Sequence, residues 1–415
     1  MLKHYLTMTI AVLKRRPFYT AISLFGISFT LLVLMVVTAI ADHALAPVAP
    51  ETRQPLMLGV HRAVMYGPDN MWSSEGGYQL FDRYARKLPG VERLTIYSSP
   101  ATVFTYHGAE RIASELKRTD GEFWKILDFR FIEGGPYGQG DVDEARFVAV
   151  ITARTRDRLF GTGPAVGRTF EADNQTYRVV GVVENVSAVR MVPYADIWAP
   201  LTTAKTDAYK RGLMGGFHAV ALARQASDLP IIRDEFNARL AHAELPERGY
   251  DHLVAPFESL YEGFARDMPF ADRRSLDSQG PRMTLLIAAL GLLFITLPTV
   301  NLINVNISRI LERASEIGVR KAFGAPTRTL IAQFVVENVL LTLAGGVIGL
   351  LLSVFVLRAL NQSGLVPDAA FGVNLRVFAY ATALALAFGL ISGVYPAWRM
   401  ARLHPVEALK GGPSR

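Results

Sequence analysis

Hydrophobic residues along this chain fall into two regimes. Segments 18–41, 283–305, 330–357 and 377–395 are almost continuously apolar. Residues 42–282 instead mix apolar and polar positions at the short periods of strands and amphipathic helices. A helix crosses a bilayer with roughly 18–20 consecutive apolar residues. The first three segments exceed that length and the fourth just reaches it; Glu337, early in the third, is their single charge. One globular core could hide one such segment. Four predict an α-helical membrane protein with four transmembrane helices and a large α+β extracytoplasmic domain inserted between the first and second.

Within 42–282 the pattern predicts particular elements. Residues 94–106 alternate and are rich in β-formers, 146–151 read as a strand, and Thr152 is placed to cap a helix running to Leu159. Residues 169–183 read as a hairpin turning at 173–175, and 217–223 as another strand. Residues 227–243 suit a helix, with Ser227 or Asp228 as cap and Pro230 in its first turn. The glycine cluster at 134–140 suits a loop. The scattered aromatics of this region read as core.

Ahead of the first apolar segment, Leu2, Leu6, Ile10 and Leu13 make one helical stripe bounded by Lys3 and Lys14–Arg16. That suits an interfacial helix over 1–17, with Pro17 at the turn into the membrane. A signal peptide is the alternative, but the 24 apolar residues of 18–41 exceed the roughly 7–15 of a signal core.

Polar and small residues in the membrane segments mark helix contacts. Pro298 should kink the second segment, and Asn301 and Asn304 share a face there. An amide in lipid gains about 0.6–2 kcal/mol by finding a partner across a helix interface. Asn301 fits that role; Asn304 and Asn306 equally fit a wet helix end. Gly345-xxx-Gly349 and Gly389-xxx-Gly393 have the spacing that lets backbones approach. Glu337 lies only about 10 Å along its helix from Leu330 at ~1.5 Å per residue, which puts it near the inner headgroups, reaching polar partners.

Charge orients the chain. Residues 42–282 hold 29 basic and 32 acidic residues; the remainder hold 15 and 5, a net of +10 beside the membrane segments. Lys and Arg mark cytoplasmic flanks, so both termini and the connection 308–329 are expected inside, with 42–282 and 358–376 outside. The tail 396–415 follows the fourth segment. The overall charge of +7 is therefore membrane patterning, not a nucleic-acid footprint. With no cysteine, the large domain has no disulfides.

The connection 308–326, SRILERASEIGVRKAFGAP, combines charges with apolar residues at helical spacing. It reads as a short amphipathic helix held at the membrane surface, stopped by Gly324 and Pro326. Catalytic motifs are missing elsewhere. The nearest approach to a phosphate loop, residues 161–168 (GTGPAVGR), lacks the lysine and hydroxyl that bind phosphate and magnesium. There is no H-E-x-x-H, no G-x-S-x-G, and no histidine pair at ligand spacing. With ionisable residues so sparse at mid-membrane, an ion-coupled transporter is a poor fit.

ERASEIGVRKAFGAP, LIAQFVVENVLLTLAGGVIG and GVYPAWRMARLHPVEALK together resemble the membrane subunits of MacB/FtsX-type (type VII) ABC transporters. In the large domain, LKRTDGEFWKILDFRFIEGG, RFVAVITARTRDRLFG and AVGRTFEADNQTYRVVGVVENV are similar to the MacB-like periplasmic core domain. GTGPAVGR departs from the family's Asn/Asp-Pro-Ile-Gly-Lys-like run. The resemblance implies a non-catalytic permease in the bacterial inner membrane, with no cofactor of its own. ATP and magnesium belong on a separate ATPase dimer. The helix 308–322, which includes Lys321, is then a coupling helix, with Glu312, Arg313, Glu316 and Arg320 pairing at the rim of a groove on the ATPase. Ile317 fills its centre, while Gly318 and Gly324 permit close approach and the turn. Further implied partners are a second permease copy or a homologous permease, a periplasmic adaptor or outer-side protein, and membrane lipids, but no nucleic acid. Cargo could be small molecules, peptides or lipoproteins. The alternative is a membrane-anchored sensor or scaffold whose outer domain binds a ligand without ATP.

Overall fold

The structure, a computed structural model, describes residues 17–107, 110–245, 248–312, 319, 323 and 326–401. In chain order, helix α1 (Pro17–Leu45) leads into strands β1 (Met57–Val60), β2 (Ala63–Tyr66) and β3 (Met71–Gly76). Helix α2 (Tyr78–Tyr84) precedes β4 (Val91–Ser98), β5 (Ala101–His107) and β6 (Glu110–Thr119). Short helices α3 (Phe123–Ile126) and α4 (Gln139–Asp143) flank β7 (Phe131–Gly134). Then come β8 (Val148–Thr152), α5 (Ala153–Phe160), β9 (Thr169–Ala172), β10 (Gln175–Val183) and β11 (Ile197–Pro200). They are followed by β12 (Met214–Gly215), β13 (Phe217–Ala223), α6 (Asp228–Ala241), β14 (His252–Val254) and α7 (Leu260–Asp267). Among the described residues, three long helices follow: α8 (Gly280–Glu312), α9 (Thr327–Gln362) and α10 (Leu375–Ala401).

Two compact units result. The α+β unit comprises Ala44–Thr284 with the short stretch Val366–Ala369; the helical unit takes the long helices. In the α+β unit, β5, β6, β11, β8, β10 and β9 form a closed circuit, because β11 pairs with both β6 and β8. Alternation along its strands feeds two cores. In β11, Ile197 and Ala199 enter one cluster with Leu116, Ile151 and Tyr177, while Trp198 between them faces Phe123, Tyr137 and Val150. The circuit joins β4, which pairs with β13; β1, β3, β2 and β14 extend from there. Phe81, Ile232, Phe236 and Phe257 pack against this second sheet region.

Local chemistry accounts for most elements. Thr152 Oγ1 accepts the Thr155 amide at 3.2 Å, capping α5 as its sequence predicts. The hairpin β9–β10 turns at Asp173 and Asn174, with φ of 54° and 56°, the left-handed pair a two-residue hairpin turn demands. The expected strand over 94–106 is two strands, β4 and β5. They part at Ser99 and Pro100, because proline has no amide to give a ladder. Helix α6 begins at Asp228 and ends at Ala241; Ser227 makes no side-chain cap bond, its backbone already being helical.

Each of the four apolar segments lies within a long helix. By length and hydropathy, Pro17–Leu45 and Val335–Gln362 are candidate membrane spans among the described residues. Shorter apolar stretches run over Gly280–Phe294 and Leu375–Ala387. Packing in the helical unit differs from that of a soluble core. On α9 the buried stripe is Asn338, Leu341, Thr342, Gly345, Gly349 and Ser353, while Val347, Leu351 and Phe355 are exposed. On α1, Ser23, Ile27, Ser28 and Leu31 are buried and Phe25 is exposed. Lipid supplies no hydrophobic drive between helices, so small and polar residues share the contacts with Ile27, Leu31, Met35 and Leu341, while other large apolar residues face outward.

Gly345 and Gly349 occupy that contact. A Cβ at Gly345 would lie 2.8 Å from Ile27 Cγ2, and one at Gly349 would lie 3.0 Å from the Ser28 carbonyl oxygen. Glu337 is buried beside Asn338, and both are partnered. Pro298, Asn301, Gly389 and Gly393 lie on helices α8 and α10, with their side-chain surroundings outside the described set. The same holds for Glu312 at the end of α8. Helix α8 differs from α1 and α9, since residues 284–290 are exposed in an unbroken run around its whole circumference.

Gly345→Ala should destabilise the helical unit by about 1–3 kcal/mol, the usual cost of overpacking. Ile27→Ala in the same chain should recover part of that loss. Thermal unfolding in detergent measures both; simple additivity of the two losses would show that the glycine does not serve this contact.

Candidate functional site

The residues expected in the coupling helix, Arg313, Glu316, Ile317, Gly318, Arg320, Lys321 and Gly324, lie outside the described residues, as do 1–16 and 402–415. Functional geometry is visible where the chain joins the long helices. The α+β unit fixes each of three adjoining segments with an arginine.

The first segment, Ala46–Glu51, directly follows α1. Arg190, in the connection between β10 and β11, reaches it from 139 residues away. Its Nη1 donates to Glu51 Oε2 at 3.0 Å and to the Val48 carbonyl at 3.3 Å; its Nη2 donates to the Ala46 carbonyl at 3.2 Å. Both side chains are buried, at 4% and 2% exposure. Removing one partner of such a pair leaves an orphaned buried charge, at about 3–5 kcal/mol. Burial pushes the Glu51 carboxyl up, and Arg190 offsets only part of that.

The second segment precedes α8. Arg266 makes a bidentate pair with Glu258, Nε to Oε2 at 2.8 Å and Nη2 to Oε1 at 2.7 Å. Its remaining donors take the carbonyls of Asp272, Ser275 and Asp277, the last at 3.0 Å. Glu258 is tied by reciprocal backbone bonds to Gly59 beside it. Helix α7 starts between these partners with a capping box, Ser259 and Glu262. Glu262 is pulled down to about 2: burial alone would raise it, but Arg233 and Ser259 outweigh that.

The third segment is the stretch Val366–Ala369 between α9 and α10. Arg154, on α5, pairs with Asp368 at 2.5 Å and with Asp196 at 2.9 Å. Asn185 Nδ2 donates to Asp368 Oδ1 at 3.0 Å, and the Ala188 amide to the Pro367 carbonyl at 3.3 Å.

Behind the first anchor lies a buried amine. Lys117, on β6, is fully buried and donates to the carbonyls of Met191 and Val192 at 3.0 and 2.7 Å. Its Nζ sits 5.1 Å from the Tyr97 ring. Burial pushes its pKa down to about 7, with Glu51 pulling the other way. Nearby His218 accepts or donates to Ser99 Oγ at 3.0 Å and is driven down to about 3 by burial, with His61 and Lys117 adding to that. Its Nδ1 faces the Val60 carbonyl at 3.4 Å, so no carboxylate completes a nucleophilic triad with Ser99. The chemistry available here is fastening rather than proton transfer.

Sequence reasoning singled out none of Glu51, Lys117, Arg154, Arg190, Glu258, Arg266 or Asp368. Only the box Ser259-x-x-Glu262 carried a readable local signal. Arg190 and Arg154 meet Glu51 and Asp368 across more than a hundred residues; Glu258 and Arg266 are eight apart, but a buried Arg reads like a solvated one until the fold is known.

Long apolar helices with small-residue contacts, joined to a large α+β unit, describe a membrane protein with a sizeable domain outside the bilayer. The MacB-like periplasmic core domain model matches residues 20–239, and the FtsX-like permease C-terminal model matches residues 288–405. The chain belongs to the MacB/FtsX-type ABC transporter permeases, and its α+β unit is a MacB-like periplasmic domain. It is 26% identical over 320 residues to the macrolide export ATP-binding/permease protein MacB of Neisseria gonorrhoeae, covering 77% of this chain and 47% of that protein. It is 24% identical over 335 residues to the uncharacterized ABC transporter permease YvrN of Bacillus subtilis, covering 78% of this chain and 76% of that protein. The chain thus spans about half the length of its MacB relatives. Among solved structures, the extracellular domain of the transporter YknZ from Gram-positive bacteria matches at 13% identity with a TM-score of 0.37, over 47% of this chain and 99% of that one.

Lys117 makes stability depend on pH. Its folded pKa of about 7 lies below the unfolded value of 10.5, so the unfolded chain binds more protons between them. Stability should therefore rise with pH over that window, on the order of 1 kcal/mol per pH unit. Below about pH 7 the burial cost is fully present. Lys117→Met should flatten the rise. Tryptophan-fluorescence unfolding of both proteins at pH 7 and pH 9 measures it, and parallel curves would refute the assignment.

Proposed function

We propose that this chain is the non-catalytic permease subunit of an inner-membrane ABC transporter, coupling a separate ATPase to movement of its periplasmic domain. The observation that carries the coupling is the set of three arginine anchors. These anchors tie Ala46–Glu51, Asp272–Asp277 and Val366–Ala369 to the rest of the α+β unit, so force that reaches any of these segments reaches that unit.

In this reading α1, α8, α9 and α10 are four spans with both termini cytoplasmic, as the Lys and Arg placement favours. The segment 308–326 docks on the ATPase, with Ile317 at the centre of the contact and Glu312, Arg313, Glu316, Arg320 and Lys321 around it. Burying one such apolar side chain contributes about 1.5–3 kcal/mol, more than an exposed rim pair. ATP and magnesium act on that partner. The exposed circumference of α8 supports a second permease copy, or a homologous permease, as its cover. Efflux of small molecules or peptides, or handling of lipoprotein-type cargo, suits such a machine. A periplasmic adaptor is a further partner.

Purification in mild detergent from the native membrane should bring down an ATPase, and Ile317→Asp should cut its recovery at least about tenfold while the chain stays inserted. Undiminished recovery overturns the docking. No ATPase with the unaltered chain overturns the permease reading in favour of a sensor or scaffold. Tags inserted after Gly140 should react only from outside, and tags at Arg415 only from inside. The reverse pattern would overturn the orientation.

A further inference from the structure

The connection between β10 and β11, residues 184–196, does more than close a sheet. Five of its residues hold it to three different parts of the α+β unit. Arg190 grips the segment after α1 through Ala46, Val48 and Glu51. Two residues earlier the Ala188 amide holds Pro367, and Asn185 holds Asp368. Just beyond, the carbonyls of Met191 and Val192 are pinned to β6 by Lys117. The connection is short between these grips, and internal bonds stiffen it: the Arg190 amide donates to the Ser187 carbonyl, and the Tyr194 amide to the Arg190 carbonyl, each at 3.0 Å.

We infer that residues 185–192 form a strap that makes the segment following α1 and the stretch Val366–Ala369 respond as one piece, with Arg190 as its positioning residue. A simple staple would serve only the segment that Arg190 touches. The strap instead carries that hold over to Pro367 and Asp368, which Arg190 does not touch. Displacing Ala46–Glu51 must then either orphan a buried guanidinium or drag the strap, and dragging the strap pulls on Pro367. Because coupling between two sites is reciprocal, loosening Asp368 must loosen Ala46–Glu51 as well. The functional meaning of the strap rests on the permease reading above: a strap delivers motion from the first helix to the connection between the third and fourth.

Hydrogen exchange of the full-length chain in detergent or nanodiscs tests this without any ATPase. The reporter amides are Val48 and Glu51 at one end and Ala369, which donates to Val366, at the other. Arg190→Ala should speed exchange about tenfold or more at both ends, because local opening of one cooperative unit exposes all its amides. Arg190→Lys should give a smaller effect at both ends. Asp368→Asn, remote from Arg190, should speed exchange at Val48 and Glu51. Acceleration confined to Val48 and Glu51 in Arg190→Ala overturns the strap and leaves a local staple. Unchanged Val48 and Glu51 in Asp368→Asn overturns it too, and that variant stands even if Arg190→Ala does not fold. Failure here leaves the permease reading intact, whereas absence of a co-purifying ATPase overturns that reading and not the strap.

Discussion

Burying a guanidinium obliges the fold to surround it with acceptors, and this protein meets that obligation where its domains are joined. Arg190 and Arg266 each sit with a buried carboxylate and spend their remaining donors on backbone carbonyls of segments that adjoin a long helix. A hydrophobic contact would hold these segments too, but it would let them slide, since apolar contact is non-directional. Charge-assisted bonds from a planar fork fix both distance and direction.

The two units pack differently, and the solvent around them accounts for it. In the α+β unit, Trp198, Tyr177, Phe123 and Phe236 fill the interior, and the two faces of β8 and β11 feed separate cores. In the helical unit Gly345, Gly349, Thr342 and Ser353 are inside while Leu351 and Phe355 are outside. Water rewards apolar burial; lipid does not, and there close backbone approach and satisfied polar groups decide the contact. The clash a methyl at Gly345 would make with Ile27 is the clearest local sign of that difference.

The buried Lys117 shows what the fastening costs. An amine with no exposure keeps two carbonyls of the β10–β11 connection in place and is pushed down toward neutrality by its surroundings. Its position beside the Glu51–Arg190 pair links sheet and connection in one polar cluster. Such a cluster holds the connection in one geometry at some cost in stability.

How much of this was legible beforehand follows from the range of each interaction. Apolar run length, Lys and Arg placement, the Thr152 cap, the turn at Asp173–Asn174 and the Gly345-xxx-Gly349 spacing are local or periodic, so the sequence by itself determined the long helices, much of the strand pattern and one helix contact. Motif similarity likewise led to the MacB/FtsX-type family. The break at Ser99–Pro100 lay in the pattern, yet alternation on either side masked it. Which charges are buried was decided only by tertiary structure. Glu51 and Arg190, or Arg154 and Asp368, meet through the closing of the β5–β11 circuit and the return of the chain after α9. No local rule encodes a partner more than a hundred residues away, and a charged residue declares itself structural only once the fold has removed its water.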